Sequence, residues 1–108
     1  MEALNTGRIV QVIGPIGDVR ETPRELRWQP VPDASRYDVA IREVDLTTLW
    51  QASTRDPRVE VPASVIAQFV PGKPILWEVT ARRGDGAAVA QSGTQRFRVT
   101  IDARPQKE

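Results

Sequence analysis

Ile75-Leu76-Trp77-Glu78-Val79-Thr80-Ala81-Arg82 places Ile75, Trp77, Val79 and Ala81 on one side and Leu76, Glu78, Thr80 and Arg82 on the other. A period of two is that of a β-strand with one face in a core and one toward water. The same period governs Leu26-Arg27-Trp28-Gln29 and Tyr37-Asp38-Val39-Ala40-Ile41-Arg42, and each stretch puts a large aromatic on its apolar side. Between these runs stand Pro30-Val31-Pro32-Asp33, Asp56-Pro57 and Val70-Pro71-Gly72, and Gly84-Asp85-Gly86 follows the last of them. These are residues that break ladders and make turns. Half-buried strands separated by such turns predict a two-sheet antiparallel β-sandwich, all-β, of about seven strands.

Outward from these anchors, residues 8–12 read as a first strand, with Ile9, Val10, Val12 and Ile13 apolar, and 14–17 as a break or bend around Pro15. Residues 47–52 and 58–61 read as strands by β-propensity and alternation. Residues 63–69 hold Val65, Ile66 and Phe69 at helical spacing and predict a short helical turn. Residues 88–92 and 95–101 pair back, with Phe97, Val99 and Ile101 inward and a bulge expected at Gly93. The predicted organisation is residues 1–12 as a leader or first edge strand, 13–101 as the sandwich, and 102–108 as a flexible polar tail.

The chain has 108 residues, no cysteine, no histidine and a formal net charge of +1. One core without disulfide staples is expected at that length. Without histidine or cysteine there is no Ser-His-Asp or Cys-His nucleophilic site and no nitrogen or sulfur set for zinc. Acidic and basic residues interleave, so no basic block marks a nucleic-acid partner: Arg24, Arg27, Arg36 and Arg42 alternate with Glu21, Glu25, Asp33 and Asp38. No apolar run approaches the roughly 18 residues of a membrane span, so no membrane insertion by this segment is expected. Glu43, Asp45, Asp56 and Glu60 lack the spacing of a calcium loop and read as solvated strand faces. The expectation is a non-enzymatic protein with no catalytic residues, no metal and no cofactor.

Leu26-x-Trp28, Ala34-x-x-Tyr37-x-Val39, Pro71-Gly72 followed by Trp77-x-Val79-x-Ala81, and Ser92 with Phe97-x-Val99 resemble a fibronectin type III domain, of the divergent kind found in bacterial envelope and regulatory proteins. The resemblance spans roughly residues 13–101. It implies an immunoglobulin-like sandwich that mediates protein–protein contact or spaces domains in a larger, envelope-associated bacterial protein. Its location would then be extracytoplasmic, in the periplasm or at the cell surface. The family often carries a tyrosine at the start of the sixth strand whose hydroxyl pins the preceding loop. Here that position is Ile75, which leaves residues 70–74 to be held by their two prolines. A second, local likeness, Gly7-Arg8-Ile9-Val10-Gln11-Val12-Ile13-Gly14-Pro15, is similar to the N-terminal strand of ATP synthase β subunits. The chain has no Gly-x-x-x-x-Gly-Lys-[Ser/Thr] phosphate loop, so no function follows from it.

Two surface features stand out. Leu49 and Leu76 fall at positions that alternation leaves toward solvent, Trp50 adjoins Leu49 so that one of the two faces solvent, and a patch of Leu49, Trp50 and Leu76 would make a protein-interaction surface. Exposed aromatic residues around Trp50 would equally suit a carbohydrate-binding module, the alternative function, while Trp28 and Trp77 read as core. Arg83-Gly84-Asp85 is an adhesion-type tripeptide in a fibronectin-like setting. Its plainer reading is a hairpin turn, with Gly84 or Gly86 at positive φ and Asp85 as a turn residue.

Overall fold

The computed structural model describes residues 9–100, which form nine strands and one short helix. The strands are β1 (Val12–Gly14), β2 (Gly17–Val19), β3 (Glu25–Trp28), β4 (Arg36–Glu43), β5 (Thr48–Thr54), β6 (Arg58–Glu60), β7 (Pro74–Arg82), β8 (Ala88–Gln91) and β9 (Gln95–Val99). Helix α1 (Ala63–Ile66) joins β6 to β7 and buries Val65. Two sheets face each other. The smaller has the order β1-β3-β6, and the larger the order β2-β9-β7-β4-β5, with β8 also on β7. Both the all-β class and the sandwich expected from the alternation are found.

The extra strands have local causes. The first segment supplies two short strands instead of one. Val10 donates to the Gln91 carbonyl beside β8, Val12 and Gly14 pair with β3 in the opposite sheet, and residues 17–19 return to lie beside β9. The chain changes sheets around Gly14-Pro15, whose peptide bond is cis. The last strand is divided where Ser92-Gly93-Thr94 leaves the ladder. The Ser92 hydroxyl accepts from the Val79 N–H at 2.9 Å and donates to the Gly93 carbonyl at 2.6 Å, with Gly93 at φ +71. The sandwich is not wholly antiparallel, because β2 runs parallel to β9 and Ile9 bridges Gln91 in parallel. The expected inward place of Ile101 lies outside the described residues.

The register of the large sheet sets the core. Ile41 is opposite Trp50 on one side and Trp77 on the other, and Val39 is opposite Ala52 and Val79. Leu26 and Trp28 close down from the small sheet, both essentially inaccessible. Trp28 and Trp77 meet across the sheets with ring centroids 6.4 Å apart, and Tyr37 stands edge-on to Trp28 at 5.3 Å. Val10 also belongs to this core, and Val12 packs against it.

Two loops are pinned by means that the alternation did not reveal. The Tyr37 hydroxyl accepts from the Val31 N–H at 3.0 Å and fixes the turn between β3 and β4. Residues 70–74 are held by the Gly72 N–H on the Val99 carbonyl and the Lys73 N–H on the Val70 carbonyl. The preceding Phe69 packs edge-on to Phe97. Backbone bonds and an aromatic pair, rather than the prolines, thus hold this loop.

The two indoles differ in one respect. Trp77 Nε1 donates to the Pro15 carbonyl at 2.8 Å, whereas no protein group among the described residues accepts from Trp28 Nε1. Replacing an indole by phenylalanine removes similar volume at both sites. Only at Trp77 does it strand a carbonyl acceptor. Trp77→Phe is therefore expected to cost about 1 kcal/mol more than Trp28→Phe in urea unfolding; equal losses would show that the Pro15 bond contributes nothing.

Candidate functional site

The large sheet turns one face outward, built from alternate residues of adjacent strands. Arg36, Asp38, Ala40 and Arg42 come from β4, Arg82, Thr80, Glu78 and Leu76 lie opposite them on β7, and Gln51 and Ser53 lie opposite Ala40 and Asp38 on β5. An open groove of about 480 Å³ runs along this face. At its centre the Asp38 carboxylate takes three partners. Ser53 Oγ donates at 2.7 Å, Arg82 Nε at 2.7 Å and Arg36 Nε at 3.3 Å. Arg42 pairs with Glu78 at 3.1 Å in the next row, and Arg98 with Asp18 at 3.0 Å near the far edge. The expected mixture of charge on this face is thus resolved into specific pairs.

Burial pushes the Asp38 carboxyl up, but the hydrogen bonds from Ser53 and Arg82 and the charges of Arg36 and Arg82 outweigh it, leaving the group below its ordinary value. Asp45 is also held low. The Thr47 N–H and hydroxyl bind its carboxylate at the turn between β4 and β5. Glu43 is bound to Lys73 at 3.0 Å. Asp56 follows Thr54, whose hydroxyl accepts from its N–H, and Glu60 lies on β6 opposite Glu25. Among the described residues no three Asp, Glu, His or Cys side chains gather as a metal would require.

Leu49, Trp50 and Leu76 do not share one surface. Trp50 lies in the inward row with Ile41 and Trp77, while Leu76 lies in the outward row between Arg42 and Arg96. Leu49 is the extra residue at a bulge opposite Ile41 and Arg42, and both Leu49 and Trp50 rest half-buried against the core. The bulge resets the face of each residue before it, which alternation alone could not foresee. Leu76 instead joins Leu46, Trp77, Arg42, Glu78 and Thr94 around a hollow of about 260 Å³ at one end of the outward face.

Leu46 is the residue the pattern missed. It sits in the connection between β4 and β5, where the Leu46 N–H bonds the Glu43 carbonyl and the Glu43 N–H bonds the Thr47 carbonyl, so that Glu43 and Thr47 close a loop of three residues. Loops of this length need one left-handed residue, commonly glycine. Here Leu46 takes that place, at φ +74 and 67% exposed. The signal available in the sequence was its spacing after a strand ending in Glu43, with no glycine to turn the chain.

Arg83, Gly84 and Asp85 form the turn between β7 and β8. Gly86 has φ +91, and its N–H bonds the Arg83 carbonyl. Asp85 Oδ1 accepts from the Ala87 N–H at 2.9 Å and lies 3.8 Å from Arg83 Nε. The preceding Arg82 reaches the Gly86 carbonyl at 3.0 Å while also holding Asp38, so one side chain ties the turn to the outward face. The turn geometry is the one expected of Gly-Asp-Gly, and Asp85 serves its own backbone.

These features define a β-sandwich with one ordered, polar outer face. Among solved structures, the chain is similar to CopC from Methylosinus trichosporium OB3b, at a TM-score of 0.57 and 13% identity, covering 86% of this chain and 95% of that one. At this identity the likeness is one of fold. No family model and no curated protein matches the chain. Among the described residues no helix is long and apolar enough to cross a membrane.

Two outcomes follow from this geometry. A leucine held in the left-handed region costs about 1–2 kcal/mol, part of which glycine would return in chain entropy. Leu46→Gly is therefore expected to raise stability by about 0.5–1 kcal/mol in chemical denaturation; a loss would mean that the Leu46 side chain contributes more by packing than its backbone costs.

The second concerns acid. A carboxyl held below its unfolded value stabilises the fold fully above that value, near 3.8, and the contribution is lost as pH falls through the lower folded value. Thermal unfolding should thus be nearly constant from about pH 6 to 8, since the chain has neither histidine nor cysteine, and should weaken below about pH 4. Asp38→Asn is expected to lower the midpoint at neutral pH and to flatten the acid limb; an unchanged acid limb would remove Asp38 from the account.

Proposed function

We propose that the chain is a non-catalytic, fibronectin type III-like module that mediates protein–protein contact or spaces domains within a larger, envelope-associated bacterial protein, on its extracytoplasmic side. The observation that carries this reading is the outer face of the large sheet. Its charged groups are spent on one another around Asp38 and in the Arg42–Glu78 pair, and Leu46 and Leu76 frame a hollow at one end. An ordered polar face with an open groove and no enclosure suits a macromolecular partner better than a small substrate, which needs an enclosing pocket. The facing tryptophans from two sheets support the fibronectin-like assignment.

A carbohydrate-binding role would rest on Trp50 alone, because Trp28 and Trp77 are each 1% exposed. Sugar stacking needs an open aromatic face, and Trp50 is half-buried against the core. Titrating the domain with a panel of glycans while following tryptophan emission separates the two readings. The contact-module reading expects no spectral change with any sugar. A sugar-dependent shift that disappears in Trp50→Ala overturns it in favour of carbohydrate binding.

A further inference from the structure

The strands of the two sheets carry different charge on their outer faces. On the large sheet Arg36, Arg42, Arg82, Arg96 and Arg98 point outward from β4, β7 and β9. Their counterions on that face are Asp18, Asp38 and Glu78. Asp38 is shared between Arg36 and Arg82, Glu78 holds Arg42, and Asp18 holds Arg98. Arg96 is exposed and forms no ion pair among the described residues. One positive charge is thus in excess beside Asp38 and another at Arg96. The outer face of the small sheet is balanced, with Arg27 and Arg58 against Glu25 and Glu60. A surplus confined to one face directs an acidic partner to that face.

The unpaired arginine lies next to the apolar end of the same face. Arg42, Leu76 and Arg96 form one row across three strands, with Leu76 in the middle. The outer two backbones are therefore about 10 Å apart. Beside the row is the hollow of about 260 Å³ framed by Leu46 and Leu76, a space of side-chain size. Asp45, next to Leu46, is folded back on the Thr47 N–H, and Glu43 is held by Lys73. Attraction for a carboxylate is accordingly centred on the Arg96 side of Leu76. In an extended peptide, alternate side chains share a face and are about 7 Å apart. An apolar residue seated in the hollow carries an acidic residue two positions away within the reach of Arg96. Arg42 still has donors beyond the one given to Glu78.

We propose that this end of the outer face binds an extended acidic segment of a partner protein, with an apolar side chain in the hollow and a carboxylate on Arg96. The inference rests on the contact-module reading and gives the partner its chemistry. Phosphate backbones fit less well, because Glu78 and Asp38 stand among the arginines and neither core tryptophan is open for base stacking.

Titrating the 15N-labelled chain with acetyl-Glu-Ser-Leu-Ser-Glu-amide, read from backbone amide shifts, tests this. A glutamate on each side of the leucine serves either direction of the peptide. Shifts are expected around Leu46, Leu76 and Arg96, saturating near millimolar peptide and weakening as salt is added. Arg96→Glu should weaken binding by about fivefold or more, while Arg58→Glu on the opposite sheet should leave it unchanged. Leu46→Gly should remove the preference for this peptide over one with alanine in place of leucine. The amide spectrum of each variant verifies its fold. No shift up to about 10 mM peptide overturns the inference. So does equal weakening by Arg96→Glu and Arg58→Glu, or tighter binding of a short single-stranded DNA to the same residues. Shifts of these residues on simple dilution overturn it too, since a second copy then covers the face. These outcomes leave the contact-module reading standing; the sugar titration decides it separately.

Discussion

The contact between Trp28 and Trp77 is the constraint on which the other parts depend. Each indole comes from a different sheet, so their packing sets the distance and angle at which the sheets meet. Trp77 then reaches past the core to the Pro15 carbonyl and fixes the point where the first segment changes sheets. Tyr37 completes the cluster on the other side and uses its hydroxyl to hold the turn between β3 and β4. One aromatic cluster thereby orders both sheets, the crossing of the first segment and one loop.

The two edges of the large sheet are treated differently. On the β9 side the first segment lays β2 alongside in parallel, and Ile9 and Val10 meet β8, so that edge carries only short pairings. On the β5 side the strand is left long and uncharged. The outward face between them is stiffened by Asp38, which ties β5, β4 and β7 through Ser53, Arg36 and Arg82. Arg82 carries the same brace to the turn containing Asp85. An isolated exposed ion pair contributes little, but several partners converging on one carboxylate across three strands restrain a sheet more effectively than separate pairs do.

Much of the architecture was legible in particular residues. The strict alternation of residues 75–82 placed Ile75, Trp77, Val79 and Ala81 in the core, and each is at most 1% exposed. Gly84-Asp85-Gly86 announced its turn, and Gly93 marked the interruption of the last strand. The first segment was harder to read. Pro15 reads in the sequence as a break or bend, and in the structure the chain passes through it from one sheet to the other and pairs on both sides. The surface group of Leu49, Trp50 and Leu76 failed to assemble because a bulge opposite Ile41 and Arg42 shifts the register of β5, and Leu46 occupies the apolar corner instead.

By itself the sequence determined the β class, the inward tryptophans and the main turns, because those follow from a period of two and from the backbone limits of proline and glycine, all of which act over a few residues. It also determined that neither histidine nor cysteine chemistry is open to this chain. Tertiary structure alone decided which outward charges pair, which edge remains open, that leucine rather than glycine adopts the left-handed position at residue 46, and that the first segment divides between two sheets. Those outcomes depend on residues as distant in sequence as Pro15 and Trp77, or Asp38 and Arg82, coming together. Local periodicity carries no record of such encounters; the packing of two sheets around one aromatic cluster creates them.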